Sequence, residues 1–487
     1  MGGSIHNGRD KSRPLHAGGC LRSTPWSWVP TLYFAEGLPY VAVMTISVLL
    51  YKQMGLSNAA ITFYTSWLYL PWVIKPLWSP FVDIVKTKRW WITAMQLLIG
   101  AAFGGVAFTL QTSLWLQGSL FCFWVMAFSS ATHDIAADGF YMLGLSQHHQ
   151  AFFVGIRSTF YRIATIFGQG LLVMAAGGLQ KLLHGRIGYS WGLIFYGVAG
   201  LFIALWLYHS FVLPKVEETR QAEEGRSRQR KADQGRGRAA RQESAATQLL
   251  TALLSFVTKM PPRETAIALC FMLFYRMPEG LLAKVSALFL IDSSDAGGLC
   301  LSLEQCGTVQ GTTGIIGLTL GGILGGMAAG RHGLKHWLWP MVCAITLPDI
   351  VYVYLSCALP ASLFIINVCV FIEQFGYGFG FTAYMLFLIY FSEGEYKTAH
   401  YSICTGFMAL SMMLPGMVAG WIQESAGGVI ARLMPTVAGG LAAPDAGYKL
   451  FFVWTMICCA ATIAVAMLVK VNPTFGLKKE ESKKVKE

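Results

Sequence analysis

Long apolar stretches, each followed by a short polar one, recur along this chain from Trp26 to Val471. Each holds about 20 residues or more, enough for a helix to cross roughly 30 Å of hydrocarbon. The pattern predicts spans at 27–50, 58–82, 90–111, 114–141, 151–177, 190–212, 264–291, 303–329, 336–357, 361–391, 398–423 and 447–470, which makes 12. The stretches 114–141 and 361–391 exceed what a bilayer needs, so they are expected to tilt or protrude. Between the sixth and seventh spans, residues 213–246 are polar, Arg-rich and poor in anything that forms a core, as in a loosely ordered linker. Residues 247–260 regain apolar positions at helical spacing, which suits a helix lying along a membrane surface.

The expected fold class is therefore an all-α membrane protein of 12 transmembrane helices in two six-helix bundles. The expected parts are an N-terminal segment (1–26), a first bundle (27–212), a linker (213–263), a second bundle (264–470) and a basic tail (471–487).

Composition supports this. Of 487 residues, 54% are hydrophobic and 13% charged, and a soluble chain usually carries about twice that charge. The 52 glycines suit closely packed membrane helices. No cleavable signal peptide is expected, because no small-residue cleavage site follows the first apolar run. If the N-terminus is cytoplasmic, the inner segments hold 27 Lys and Arg and the outer loops five: Lys52, Lys181, Arg186, Arg432 and Lys449. That asymmetry predicts both termini in the cytoplasm. It also explains the net charge of +12 as topology signal beside an anionic leaflet, without nucleic acid as a partner. The 11 cysteines fall mostly in apolar spans. Cys300 and Cys306 flank an outer loop, where a bridge is the alternative to the free thiols expected.

The halves read as distant copies. AEGLP at 35–39 matches PEGLL at 278–282, and SPFVDIVKTK at 79–88 matches GMAAGRHGLK at 326–335, with separations of 243 and 247 residues. Asp83 and Arg331 fall in these loops as gating or structural candidates. Parallel repeats of this kind build transporters whose site lies between the halves near the midplane.

Ionisable groups within spans are costly unless paired or wet, so they are functional candidates. The bases are Lys75, Arg157, Arg162, Arg276 and Lys284, and the acids are Glu36, Asp134, Asp138, Glu279, Asp349 and Glu373. Asp134 and Asp138, at i,i+4, share a helix face, and structural pairing with Arg157 and Arg162 of the next span is the plain expectation. Arg276 and Glu279, at i,i+3, are expected to pair locally, leaving Lys284 on another face for a ligand. Asp138, Arg162 and Glu279 are thus read as structural or gating residues. An acid facing the interior between the bundles can take a proton from one side and lose it to the other. Glu36, Asp134 and Glu373 are the candidates for that coupling. Metal-ligand clusters, phosphate-cradling glycine loops and nucleophile elbows do not appear in the sequence, so neither an enzyme, a metal nor a cofactor is expected.

EGLP at 36–39, KPLWSPFVD at 75–83, HDIAADGF at 133–140 and FIEQFGYGFG at 371–380 resemble the AmpG-type muropeptide permeases of the major facilitator superfamily. The resemblance covers nearly all of 30–470 outside the linker and the outer loop at 426–446. His133 stands where the family usually has Gln, and Ile372-Glu373-Gln374 matches its Phe-Glu-Asn. The long linker and the lack of two additional helices depart from some relatives, and Gly330 replaces an expected Asp in the second gating loop. The resemblance implies proton-driven import of N-acetylglucosaminyl-1,6-anhydro-N-acetylmuramyl peptides across the inner membrane by a monomer. For such an anionic glycopeptide, Lys75, Arg157, Arg276 and Lys284 are candidate carboxylate partners, with Tyr161, Gln374 and Tyr377 beside them. The alternative is a permease of the same fold for another solute, such as a sugar, a peptide or an acyl-coenzyme A.

Overall fold

The computed structural model describes residues 24–216, 245–394, 396–433, 446–472 and 475. The N-terminal segment, most of the Arg-rich linker, most of the loop at 426–446 and nearly all of the basic tail lie outside the described residues. So does the side chain of Asp83.

The described residues are helical almost throughout, and ten helices are long and apolar enough to cross a membrane. Two exceptions turn that count into twelve spans. Leu303–Ala358 is one apolar helix by length, but Gly333 (φ 78, ψ 164) divides it. Before that point Gly317, Gly321 and Gly325 meet Phe371, Phe375 and Phe379 in the same order. Beyond it, Met341 meets Gly380 and Ala344 meets Gly376, in the opposite order. The chain thus reverses at Gly333, in a backbone region that only glycine enters cheaply. The second exception is the span made of Asn58–Trp67 and Leu70–Ile84, broken at Leu68–Tyr69 ahead of Pro71. Pro71 has no N–H to donate back to the carbonyl of Trp67, so the helical ladder lapses there and the next helix starts with proline in its first turn.

In chain order the spans are Pro25–Gln53 (span 1), the broken pair just described (span 2), Lys88–Thr109 (span 3), Trp115–Gly144 (span 4), the helix from Gln147 to Leu182 (span 5) and Ile187–Val212 (span 6). They continue with Pro262–Ile291 (span 7), the two arms of Leu303–Ala358 (spans 8 and 9), Leu363–Ser392 (span 10), Lys397–Leu433 (span 11) and Ala446–Leu468 (span 12). Several begin on a small polar cap taken from a loop. Ser57, Thr87, Ser146 and Ser302 each accept a backbone N–H of the first turn, and Ser302 completes a capping box with Gln305.

An even number of spans places both ends of the chain at one face, here the proximal face; the other is distal. The apolar core has a different shape at each. Toward the distal face one continuous core takes Leu38, Phe103 and Trp191 from the first half and Leu288, Tyr352 and Phe452 from the second. Toward the proximal face there are two cores. One, around Trp28, Phe140 and Phe153, belongs to the first half, and the other, around Phe271, Met341 and Phe387, to the second. The halves are fused distally and part proximally. The helix Ala245–Thr258 packs Phe256 beside Phe391 and Phe407 of the second half and leaves Leu250, Leu254 and Val257 exposed.

Cross-half polar bonds follow the same asymmetry. Lys52 pairs with Asp292 at 2.7 Å, and Lys181 pairs with Glu304. Asn58 donates to Gln423 at 2.8 Å and to Tyr448 at 2.9 Å, and Tyr448 donates to Asp292 at 2.8 Å. All these residues sit at distal ends of spans. Spans 5 and 8 cross so closely there that a Cβ on Gly311 would overlap Gly170 N and the Gln169 carbonyl.

Candidate functional site

Where the core divides, the first half presents five ionisable side chains from four spans. Carboxylate oxygens of Glu36, Asp134 and Asp138 lie within 4.8 Å of one another. Span 4 supplies both aspartates because i,i+4 residues share a helix face, and span 1 brings Glu36 opposite them. Lys75 of span 2 pairs with Asp134, and Arg157 of span 5 pairs with Asp138 at 2.9 Å. Tyr33 donates to the same Asp138 oxygen at 3.1 Å, and its ring lies 4.5 Å from the Arg157 guanidinium carbon. The paired side chains keep 19–37% of their surface accessible. Glu36 is 8% exposed, and its Oε2 has no hydrogen-bond partner among the described residues. Two cations thus meet three acids, and Glu36 is the one left over. With both cation places filled by Lys and Arg, the cluster suits an ion-pair group better than a metal.

The structure redistributes the expected pairing across spans 4 and 5. Asp138 does meet Arg157, but Asp134 turns to Lys75, because the side chain of span 2 reaches the cluster from the other side. Arg162, five residues beyond Arg157, is half-buried on the same helix near Tyr161, outside both ion pairs. Tyr401 of span 11 is the second-half side chain nearby, within range of the charges on Asp138, Lys75 and Arg157.

The second half is built differently. Arg276 is buried and hydrogen-bonds the Tyr377 hydroxyl, with its guanidinium 4.7 Å from the Phe381 ring and 5.7 Å from that of Tyr384. The expected Arg276–Glu279 pair is not among the ion pairs of the described residues. Arg276 (φ −106, ψ 12) lies at the break between Pro262–Phe274 and Met277–Ile291, so the i,i+3 alignment of a continuous helix is lost. Lys284 is not open to a ligand in this arrangement: it is 3% exposed, 3.4 Å from the Met44 carbonyl and 5.5 Å from the Tyr69 ring centre. Met44 lies in the π turn Ala42–Ile46, where the ordinary helical ladder is interrupted. Glu373 is 1% exposed, and both its oxygens accept from Gln374, at 3.2 and 3.0 Å. Asp349 is buried in the turn Leu347–Asp349, with Cys459 Sγ at 3.8 Å. Arg331 is exposed just before the reversal at Gly333. Cys300 and Cys306 are free, as expected.

Sequence reasoning missed a buried chain of four residues from four spans. Thr31 bonds His209 at 2.9 Å, His209 bonds Gln96 at 3.0 Å, and Gln96 bonds His133 at 3.0 Å, leaving His133 Nδ1 without a partner among the described residues. Uncharged polar residues in mid-span were the available signal. The distal bonds around Lys52 and Asp292 carried less signal, because each residue alone reads as an ordinary loop charge.

Known proteins bear on this arrangement at two levels. By shape, the chain is similar to a bacterial homologue of the human lysosomal transporter Spinster in its inward-facing, unoccupied conformation, with a TM-score of 0.61, 14% identity and coverage of 90% of this chain and 95% of that one. It is also similar to a D-xylose–proton symporter, with a TM-score of 0.63, 12% identity and coverage of 93% and 98%. Both likenesses establish the major facilitator fold. By sequence, it is 23% identical over 409 residues to the anhydromuropeptide permease of Escherichia coli K12, covering 81% of this chain and 74% of that protein. Residues 34–414 match the BT1 family, and that stretch runs from the Glu36 turn through the charged group and past the Arg276 pocket. This multi-pass membrane protein, a transporter and not an enzyme, belongs to the BT1 family.

Proposed function

We propose that this protein imports anhydromuropeptides by proton-coupled alternating access, with its proximal face and both termini in the cytoplasm. The observation that carries the reading is the surplus carboxylate. Lys75 and Arg157 each hold an aspartate, and Glu36 stands beside them with no salt bridge among the described residues, at the level where the core divides. One proton balances that count, and a change in pairing on substrate entry would release it. Asp134 is the second coupling residue, since its ion-pair partner, Lys75, is within reach of a competing anion. Glu373, buried in the second half and bonded by Gln374 and Tyr352, is the third.

The cargo fits the same residues. Peptide carboxylates suit Arg157 and, after the Tyr377 bond yields, Arg276. The rings around Arg276 give a sugar face something to rest on. Tyr275 stacks on Tyr384 behind them, its ring centroid 5.6 Å away and its hydroxyl bonded to the Gly380 carbonyl at 3.0 Å. The relative named as an anhydromuropeptide permease supports this choice. The second reading is a permease for another solute, since the fold is shared by proteins with different cargoes.

Counterflow in proteoliposomes separates the two. Labelled anhydromuropeptide is expected to accumulate against an unlabelled pool, faster with an inward proton gradient. Exchange of a sugar, peptide or acyl-coenzyme A in its place would overturn the cargo and keep the transporter.

A further inference from the structure

A cavity of about 500 Å³ opens at the distal face between the halves, lined by Lys52 and Gln53 of span 1, Gln180 and Lys181 of span 5, and Ser302 and Glu304 at the start of span 8. Two of the five basic residues assigned to distal loops line it. Its floor is fixed: Gln53 and Gln180 exchange amide hydrogen bonds at 3.2 and 2.6 Å, and Trp191 donates to Gln53 at 2.8 Å. Of its two cations, Lys52 is held by Asn58 at 2.8 Å as well as by Asp292, and Lys181 is the looser. Lys181 is 68% exposed and Glu304 31%, and a pair so open to water holds weakly. The Lys52–Asp292 pair is less exposed, at 20% and 14%. Both pairs join one half to the other. Lys52, Lys181 and Glu304, which line the cavity, therefore also hold its two sides together, with Asp292 next to the lining residue Ile291.

We propose that this cavity is a peripheral docking site for a solute bearing two or more carboxylates, which takes Lys181 from Glu304 and Lys52 from Asp292 and so unlatches the distal face. It rests on the reading above in taking the distal face as the side from which cargo enters. The exchange conserves charge pairing, since each lysine leaves one carboxylate for another. It leaves Glu304 and Asp292 as repelling charges on the half that must move away. A neutral solute of the same size cannot do this. The site thus selects for charge before the cargo reaches the interior.

Cys306 provides the readout, because it is 1% exposed two residues beyond Glu304, beside the crossing of spans 5 and 8. Full-length protein in nanodiscs is treated with N-ethylmaleimide, and modification of the Cys306 peptide is followed by mass spectrometry, with citrate as probe and chloride at equal ionic strength as control. Citrate is expected to speed labelling in the wild type. Glu304→Gln frees Lys181, so labelling should be faster without citrate and half-maximal at a lower citrate concentration. Lys181→Gln should also label faster at rest, but need about tenfold more citrate or give no response, and Lys181→Arg should restore it. No citrate response in the wild type, or equal responses in Glu304→Gln and Lys181→Gln, overturns the site. Uptake of labelled anhydromuropeptide is measured alongside. Uptake without a Cys306 response to that peptide or to citrate overturns the site and leaves the cargo reading intact. A citrate response without muropeptide uptake removes that cargo and supports the site.

Discussion

At the scale of single residues, the unpaired Glu36 has the sharpest consequence. Glu36→Gln keeps the shape and removes the proton, so uptake should persist by exchange but lose its acceleration by an inward proton gradient. Counterflow with and without that gradient measures both. Asp138→Asn should do something else. It leaves Arg157 with the Tyr33 and Tyr141 rings but without its ion-pair partner, and because the pair is partly exposed the loss should be about 1 kcal/mol, read as a modest fall in Tm. Adding Arg157→Gln should return part of it. The identities of these residues were legible in the sequence, since a charge inside an apolar run stands out. Their partners were not. Asp134 met Lys75 because of where span 2 passes, and Arg276 left Glu279 because of one broken turn; neither is a matter of spacing along the chain.

At the scale of elements, two glycines decide how helices meet. Gly333→Ala forces a side chain into a backbone region that costs about 1–3 kcal/mol, so it should lower stability by that amount, read as a fall in Tm, while leaving the charged group untouched. Gly311→Ala acts on packing. Its methyl would overlap the backbone of Gly170 and Gln169, so spans 5 and 8 must separate at their distal ends, and resting Cys306 labelling should rise with no ligand present. The spans themselves were readable from hydropathy to within a few residues, because a bilayer sets the length a helix must have. Breaks within them were harder to place. The one at Leu68–Tyr69 has Pro71 to announce it, whereas the π turns at Ala42–Ile46 and Gly307–Gly314 follow from how neighbouring spans pack.

At the scale of the whole molecule, the halves were legible as repeats, and their mutual placement was not. Copies related by sequence say that two bundles exist; they do not say which ends touch. The fused distal core answers that, and it has a thermal corollary. Prising the far ends apart would bring Leu38, Leu288 and their neighbours into contact with water, which raises heat capacity. Attraction between such surfaces fades on cooling. Chilling should therefore loosen the distal doors more than the proximal ones, and a plot of log turnover against reciprocal temperature should bend rather than run straight.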